Sequence, residues 1–391
     1  MHAGEERARV RRRGTSPAVS ASPLEYDDLL WEILLRLPPQ SSSLPRASAV
    51  CRRWRGLVTD AKFLRRFRVH HGQPPLLGAF TNGTQGIVFI PVLDPPNRIP
   101  IQGFDLGRNS DRDYRDVLDC RQGLVLLTDR GRQQVVVCDP IAGEQRRVSF
   151  PPEFRRSYLN GAVLCAAGLA SPFKVVLMSM YIDINRPTVC VYSSETGIWG
   201  NLISTEAPYQ LGGDTGSPAT LIGNALYWLS NGDRILEFDL DGHSLAVIMG
   251  PPVTNDMCRR DHRIIRAEDG ALGFAVLAFP QFQMWRRNVN GHGVSTWVPW
   301  KTIEIHTILG LPSQIEGGFE CLMGYGEDTD VVFLLLGYSM YMLQLKSKQF
   351  RELHETKYFT GCVPFTSFYT PGEKGITITG GSNGSEMLHD T

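Results

Sequence analysis

The apolar residues of this chain change their spacing at Gln73-Pro74-Pro75, and this change constrains the fold more than any other sequence feature. Between residues 24 and 70, apolar residues recur at three- and four-residue steps, the period of an amphipathic helix. Beyond the prolines the period falls to two, as in half-buried strands. In a chain of 391 residues, the two patterns predict an α+β multidomain protein with a small helical module and a much larger all-β domain.

The helical module is predicted to contain three short helices in residues 24–70. Asp27-Asp28 suits a first helical turn, where carboxylates complement the helix dipole, and Pro38-Pro39 ends that helix because proline has no backbone N–H. A second helix follows over residues 43–58, and a third begins after Asp60. Large apolar residues of these helices are expected mainly in the module's own core: Trp54, Leu57 and Phe63.

The first helix carries an apolar stripe that is wider than so small a bundle can bury. A single core of this size contributes only a few kcal/mol, so a module of this length usually needs a partner. The stripe is formed by Leu29, Leu30, Ile33, Leu34 and Leu37. We therefore expect part of it to be covered by another protein.

A unit of strand, hairpin turn, strand, polar turn and strand recurs along residues 76–370. Its clearest copy places Asn231-Gly232 between two alternating apolar runs, which is a strong hairpin signal. Marker glycines at 143, 197, 242 and 293 are separated by roughly the blade length of repeat propellers. Residues 76–110 add a further unit, and the strand-like run 363–369 is placed to close the ring. This pattern predicts a β-propeller of about six blades.

Charge and cysteine content narrow the classes of partner and compartment. The formal net charge is zero, although residues 1–70 hold 14 Lys and Arg against 7 Asp and Glu. Neither part has the basic excess of a dedicated nucleic-acid binder, so no nucleic acid is expected. The eight cysteines include no C-x-x-C spacing and are interpreted as reduced thiols. We find no signal-peptide pattern and no apolar run long enough to span a membrane, so we expect the protein to be located in the cytoplasm, the nucleus or both.

Both ends of the chain are predicted to lie outside the folded domains. Residues 1–23 form an Arg-rich arm without an apolar period, interpreted as a disordered tail, with a nuclear-import patch as the alternative. Residues 371–391 are predicted to be a flexible tail.

The sequence carries no spacing typical of catalysis or of cofactor binding. Gly324-Tyr325-Gly326 is a near match to a dinucleotide fingerprint, but Thr329 stands where the third glycine belongs. Asp111, Asp113 and Asp116 lack the glycine and closing glutamate of an EF-hand. The histidines are too dispersed for a metal site. We therefore expect no enzyme activity, no cofactor and no metal.

Six aromatic residues of the β domain have two interpretations. Aromatic side chains often anchor recognition surfaces, but packing between blades is the favoured role here. They are Trp228, Trp285, Trp297, Trp300, Tyr227 and Tyr338.

The helical module resembles a plant F-box. The resemblance rests on Asp-Asp-Leu-Leu from residue 27, Glu-Ile-Leu from 32, Leu-Pro-Pro from 37 and Val-Cys-x-x-Trp from 50, in that order. The β domain resembles the F-box-associated domain of plants, notably in Ala-Leu-Tyr-Trp from 225 and Phe-Thr-Ser-Phe-Tyr from 365. The second resemblance is looser than the first.

These resemblances imply a substrate receptor of a Skp–cullin–F-box ubiquitin ligase. Such a protein binds a Skp-type adaptor, and through it a cullin, while its larger domain holds a target protein whose identity the sequence does not give. The resemblance assigns adaptor contact to Leu24, Leu29, Leu30, Ile33, Pro38 and Val50. The alternative is a propeller enzyme or a lectin-like small-ligand binder that is regulated through its F-box. A deep polar central pocket would favour that alternative, whereas a broad face with exposed aromatic residues favours the receptor.

Overall fold

The fold is taken from a computed structural model. It describes residues 24, 26–83, 86–99, 104, 106, 115–155, 157–165, 171–180, 186–206, 217–229, 234–252, 261–355 and 361–370. The predicted arm, the predicted tail and the Asn231-Gly232 turn lie outside these residues.

The N-terminal module contains four helices, where the periodicity predicts three. The helices are α1 (Asp27–Leu35), α2 (Ser43–Val50), α3 (Arg52–Val58) and α4 (Ala61–His71). The predicted second helix is divided at Cys51, whose backbone is extended with φ near −163°. Its Sγ atom accepts a hydrogen bond from the backbone N–H of Trp54 at 3.4 Å and so caps α3. Asp60 caps α4 as predicted, accepting from the backbone N–H groups of Lys62 and Phe63.

The rest of the described chain folds into six antiparallel sheets, which we number as blades from the N-terminal side. Blade 1 contains β1 (Leu76–Gly83), β2 (Gly86–Pro91) and the last strand, β24 (Cys362–Thr366). Blade 2 contains β3 (Arg115–Arg121), β4 (Leu124–Asp129), β5 (Gln134–Asp139) and β6 (Glu144–Ser149). Blade 3 contains β7 (Tyr158–Cys165), β8 (Phe173–Met180), β9 (Pro187–Ser193), β10 (Ile198–Trp199) and β11 (Ile203–Ser204).

The remaining three blades each have four strands in chain order. Blade 4 contains β12 (Thr220–Ile222), β13 (Ala225–Leu229), β14 (Arg234–Asp239) and β15 (Ser244–Met249). Blade 5 contains β16 (His262–Arg266), β17 (Leu272–Ala278), β18 (Gln281–Val289) and β19 (Ser295–Glu304). After the short helix α5 (Ile305–Leu309), blade 6 contains β20 (Phe319–Gly326), β21 (Val331–Gly337), β22 (Ser339–Gln344) and β23 (Phe350–Glu355).

Strand β24 closes the ring. It pairs with β1 in antiparallel register, with Phe80 opposite Val363, and it contacts the first strands of blades 2 and 6. Blade 1 is therefore built from both ends of the β domain, as the strand-like run 363–369 predicts. The prediction of about six blades is confirmed, and pairing the two ends removes the open sheet edges that a solenoid would leave.

The hydrophobic core lies between neighbouring blades. Six clusters of buried apolar residues fill the six contacts around the ring, from blades 1 and 2 to blades 6 and 1. Between blades 1 and 2, Phe80, Phe89, Phe104 and Phe365 surround one another, with ring centroids between 4.6 and 6.3 Å apart. Because each blade buries both faces, its central strands are apolar throughout rather than alternating.

Gly324 allows the last blade to approach the closing strand. A Cβ atom at this position would lie 2.3 Å from the carbonyl oxygen of Cys362 and 2.8 Å from its Sγ atom. We expect Gly324→Ala to lower the free energy of unfolding by about 1–3 kcal/mol, because β24 would have to move away from β20. Urea unfolding measures the change. Gly291→Ala, where a Cβ atom meets nothing within 4 Å, is the control, and an equal effect in both variants would contradict this role.

His262 makes the stability of blade 5 depend on pH. Burial lowers its pKa to about 4, and the neighbouring charge of Arg263 acts in the same direction. An unfolded histidine has a pKa of about 6.5, so acid protonates the unfolded chain first. The stabilisation is therefore complete above about pH 6.5 and is lost as the pH falls toward 4.

We expect the stability advantage of the wild type over His262→Gln to shrink by about 2 kcal/mol between about pH 7.5 and 5. Urea unfolding of both proteins at each pH isolates the imidazole from the other titrating groups. An advantage that stays constant across this range would contradict the assignment.

Candidate functional site

The helical module packs around one apolar core to which the propeller contributes. Trp31 of α1 meets Phe63 of α4 edge to face, with centroids 5.6 Å apart. Phe368, which follows the closing strand, meets Phe67 of α4 at 6.0 Å. The buried members of the core are Leu30, Leu34, Leu35, Leu44, Ala47, Val58, Phe63, Phe67 and Phe368. Trp54 and Leu57 pack against them, which confirms the predicted core role of these two residues and of Phe63.

Five of the six residues assigned to the adaptor are exposed, and one is not. Leu30 is fully buried in the module core, so it is a packing residue and the assignment of Leu30 to an adaptor contact is corrected. Its side chain is covered because α1 packs against α4. This packing buries the part of the apolar stripe that contains Leu30 and Leu34. The exposed residues are Leu24 (42% exposed), Leu29 (49%), Ile33 (41%), Val50 (60%) and Pro38.

Most of these exposed residues lie on α1, just before it, or next to α3, which is hydrogen-bonded to the start of α1. Leu29 and Ile33 are four residues apart on α1 and point the same way. Arg53 donates to the carbonyl oxygen of Leu24 at 2.8 Å and to Oδ1 of Asp27 at 2.7 Å. These bonds link the start of α3 to the residues that begin α1.

Pro38 and Tyr26 differ from the predicted set of adaptor contacts in opposite ways. Pro38 is exposed but lies beyond the C-terminal end of α1, about a helix length from Leu24. Tyr26 was not predicted, yet it is 56% exposed immediately before α1. The sequence signal for Tyr26 is its position next to the apolar stripe. A rule based on residue spacing within the helix misses it, because Tyr26 precedes the helix. We refer below to Leu24, Tyr26, Leu29, Ile33 and Val50 as the exposed apolar face.

The module is attached to the propeller by specific contacts beside blade 1. Ser42 Oγ donates to Asn97 Oδ1 at 2.7 Å, and Ser41 Oγ donates to the carbonyl oxygen of the same asparagine. Together with Phe368 in the module core, these contacts give the exposed apolar face a fixed orientation relative to the ring.

A buried ionic network occupies the propeller centre. Arg121 donates from Nε to Glu327 Oε1 at 2.8 Å and pairs through Nη1 with Asp119. The same guanidinium donates to the carbonyl oxygen of Ala219 at 2.5 Å. Asp119 accepts from the backbone N–H of Val163 at 2.8 Å, and Glu327 accepts from that of Leu221 at 2.7 Å. The network therefore joins the inner strands or inner turns of blades 2, 3, 4 and 6.

The electrostatics of this centre favour a structural role. Burial raises the pKa of Asp119 to about 7, although the positive charge of Arg121 acts in the opposite direction. Each carboxylate is engaged by Arg121 and by a backbone N–H group, and Glu327, but not Asp119, lines the cavity of about 510 Å³ between blades 3 and 4. This arrangement differs from a catalytic carboxylate pair, which must face its substrate.

Two cavities open beside the inner strands. One of about 510 Å³ lies between blades 3 and 4 beside Arg121 and Glu327 of the central network, and its wall includes Lys174, Asp241 and His243. The other, of about 530 Å³, lies between blades 5 and 6 and is lined in part by Trp300, Tyr325, Lys301 and Asp330. Each combines residues of both charge signs with apolar walls.

The aromatic residues of the propeller lie mainly in the packing between blades. Tyr227 and Trp228 are buried, and the three other tryptophans of the predicted set are partly buried against the same clusters. Tyr338 is 49% exposed at the turn between β21 and β22. Core packing, the favoured interpretation, is therefore confirmed for five of the six.

The described residues contain no group of three or more His, Cys, Asp or Glu side chains arranged to hold a metal ion. Asp116 lies in β3, whereas Asp111 and Asp113 are outside the described part of the chain. Among the helices that the structure describes, none is long and apolar enough to cross a membrane.

Comparisons with known proteins agree with both parts of this architecture. The family described as "F-box protein AT5G49610-like, beta-propeller" matches residues 116–372, and the F-box domain matches residues 27–66. F-box protein At3g26010 of Arabidopsis thaliana is 26% identical over 343 residues, which cover 80% of this chain and 74% of that protein. F-box protein At2g23160 of the same plant is 25% identical over 188 residues, covering 43% of this chain and 57% of its own length.

Similarity to solved structures is low. The extracellular domain of the putative one-component system BT4673 from B. thetaiotaomicron aligns with a TM-score of 0.35 and 14% identity. The alignment covers 65% of this chain and 29% of that chain. A TM-score this low supports no inference about fold or function.

The ring of six blades, with four helices packed at its N-terminal side, defines a β-propeller protein with a separate helical module. The family match spans more than half of the chain, and the F-box match covers α1 to α3 and the first half of α4. The chain belongs to the plant F-box proteins with an AT5G49610-like β-propeller.

Proposed function

We propose that this protein is the substrate-recognition subunit of a Skp–cullin–F-box ubiquitin ligase. F-box domains in general bind Skp-type adaptors, and the F-box match covers residues 27–66. The observation that carries the proposal is the exposed apolar face, where Leu29 and Ile33 remain 49% and 41% exposed beside a complete core. A group of large apolar side chains on the surface of a protein is typical of a protein–protein interface.

The adaptor is proposed to cover the exposed apolar face. On this account Leu29 and Ile33 form the middle of the contact, with Leu24 and Val50 beside them, since Arg53 links the start of α3 to the start of α1. The cullin then binds through the adaptor and makes no contact with this face. Leu30 takes no part, because its side chain belongs to the module core.

The propeller is proposed to hold the target without catalysing a reaction. Supporting this, both central carboxylates are engaged by Arg121. The enzyme and the lectin-like binder need polar groups around an open pocket near the centre, and the cavity of about 510 Å³ beside Arg121 and Glu327 keeps them as the second candidate. The receptor role requires no cofactor, nucleic acid or membrane. We propose that the protein acts in the cytoplasm, the nucleus or both.

Affinity enrichment from plant cells with ligase activity blocked tests the proposal. We expect a tagged wild-type chain to recover a Skp-type adaptor, a cullin and proteins that accumulate only when ubiquitin transfer is inhibited. Recovery of the chain with neither adaptor nor cullin would contradict the proposed function. Hydrolase or redox turnover by the purified chain would favour the enzyme alternative instead.

A further inference from the structure

A pocket of about 240 Å³ lies at the joint between the helical module and blade 1. The module side of its wall includes Ser41, Ser42 and Arg46, at the start of α2. The propeller side includes Arg98, which follows β2, and Tyr369, which follows the closing strand β24. Three parts of the chain that are distant in sequence therefore form one pocket, and ligand sites are common at such joints between domains.

The two walls of the pocket are held together by other residues than the arginines. Asn97 accepts at Oδ1 from Ser42 Oγ at 2.7 Å, and at its carbonyl oxygen from Ser41 Oγ. Ile99, which also lines the pocket, is buried in the apolar cluster between blades 1 and 2. The shape of the pocket is therefore fixed by these contacts, and the two arginines are available for another role.

The side chains of Arg46, Arg98 and Tyr369 are hydrogen-bond donors that meet no acceptor in the described part of the chain. No described residue accepts from either guanidinium or from the Tyr369 hydroxyl, and neither arginine forms an ion pair there. No Asp or Glu lines the pocket among the residues that the structure describes. Asp94, the acidic residue nearest to Arg98 in sequence, pairs with Arg351 at 2.7 Å instead.

This arrangement differs from the way in which the module uses arginine for stability. Arg53 and Arg66 each pair with a carboxylate of α1 at 2.7 Å. Two guanidinium groups in one small pocket repel each other, and an anion between them relieves that repulsion. Each guanidinium is a planar fork of N–H donors that matches the oxygens of a carboxylate or a phosphate. The donors that meet in this pocket therefore suit an anion with several oxygens.

We propose that this pocket binds the phosphate group of a small phosphate ester, with Arg46 and Arg98 on either side of it and the Tyr369 hydroxyl as a third donor. A phosphate monoester carries about −1.5 to −2 charges at pH 7, which match the two guanidinium charges. Charge-assisted hydrogen bonds from arginine to phosphate are among the strong ones in proteins. The volume is below the range of about 300–1,000 Å³ for drug-sized ligands, which favours a small compound.

The bound ester would join the F-box to the propeller, since it contacts α2 on one side and the segments after β2 and β24 on the other. Because a ligand that binds only the folded chain stabilises it, binding should raise the melting temperature. This inference goes beyond the proposed function and does not depend on it, because it concerns neither the adaptor nor the target.

Calorimetric titration of the purified full chain with glycerol 3-phosphate and with glycerate, at constant ionic strength, tests the site. We expect glycerol 3-phosphate to bind at least about tenfold more tightly than glycerate, because the carboxylate has less charge and fewer acceptor oxygens. It should also raise the melting temperature, whereas sodium chloride at the same ionic strength should not. Equal binding of glycerate, or an equal effect of chloride, would overturn the assignment to phosphate.

Matched variants locate the binding. Arg46→Gln/Arg98→Gln is expected to weaken binding of glycerol 3-phosphate at least about tenfold, and Tyr369→Phe about threefold. The control Arg52→Gln/Arg65→Gln, which also removes two exposed arginines of the chain, is expected to keep the wild-type affinity. Unchanged affinity in Arg46→Gln/Arg98→Gln, or an equal loss in the control, would overturn the site.

The melting temperature without ligand separates binding from stability. Neither arginine has a partner among the described residues, so we expect Arg46→Gln/Arg98→Gln to melt as the wild type does when no phosphate is present. A large fall would show that the arginines support the joint itself and would overturn a role in binding. Arg98→Gln alone, expected to weaken binding about fivefold, provides a second measurement.

A lipid headgroup could supply the same phosphate chemistry, and sedimentation with phosphatidylcholine vesicles that contain phosphatidic acid distinguishes the two sources. We expect no binding to these vesicles, because the pocket is small and lies between two folded parts. Vesicle binding that glycerol 3-phosphate competes away and that Arg46→Gln/Arg98→Gln lacks would support the site with a lipid as its source. Vesicle binding that the double variant retains, without binding of glycerol 3-phosphate to the wild type, would overturn it.

Discussion

Leu29→Asp/Ile33→Asp is expected to abolish binding of a Skp-type adaptor. Both side chains are exposed on one side of α1 and make the middle of the exposed apolar face. Two carboxylates placed in a desolvated contact would cost several kcal/mol, enough to eliminate a micromolar complex. Titration of the purified full chain with adaptor measures the change. The module should stay folded, because its core residues are elsewhere.

The control for this variant is Arg65→Asp/Val69→Asp. These residues are also exposed and four apart, but they lie on α4 rather than on α1. We expect adaptor affinity to change by less than about threefold, as for a substitution outside an interface. Unimpaired binding by the Leu29→Asp/Ile33→Asp variant would show that the adaptor uses another surface.

Arg121→Met is expected to destabilise the propeller by about 3–5 kcal/mol. Removing the guanidinium leaves Asp119 and Glu327 at the centre without their shared cation, and an uncompensated buried charge is strongly unfavourable. The triple variant Arg121→Met/Asp119→Asn/Glu327→Gln removes all three charges and should recover much of the lost stability. Urea unfolding compares the proteins. A loss below about 1 kcal/mol in Arg121→Met would contradict a central role for this network.

Much of the propeller was predictable because its central strands repeat a simple pattern. The runs that contain Val135, Leu236 and Leu334 are apolar and are bounded by turn residues, so they predict strands directly. The inner strands were harder to recognise. Strand β12 has three residues, and β3 and β16 contain arginine and other polar residues that are buried near the centre of the ring.

Other features depend on contacts between distant parts of the chain. Arg121 and Glu327 are 206 positions apart, and no local pattern reveals that they meet. In the F-box, Leu29 and Leu30 belong to one apolar stripe, and only the packing of α1 against α4 separates the exposed residue from the buried one. The division of the second helix at Cys51 also escaped the periodicity, since the apolar steps continue across the extended residue.

Ubiquitin transfer to a captured target tests the central claim most directly. A protein enriched with the wild-type chain is incubated with the adaptor, cullin, charged conjugating enzyme and either chain. We expect ubiquitin to be transferred with the wild type and not with the Leu29→Asp/Ile33→Asp variant, although both chains should bind the target through the propeller. Equal transfer with both chains, or none with the wild type while target and adaptor are both bound, would contradict the assignment of this protein as a substrate receptor.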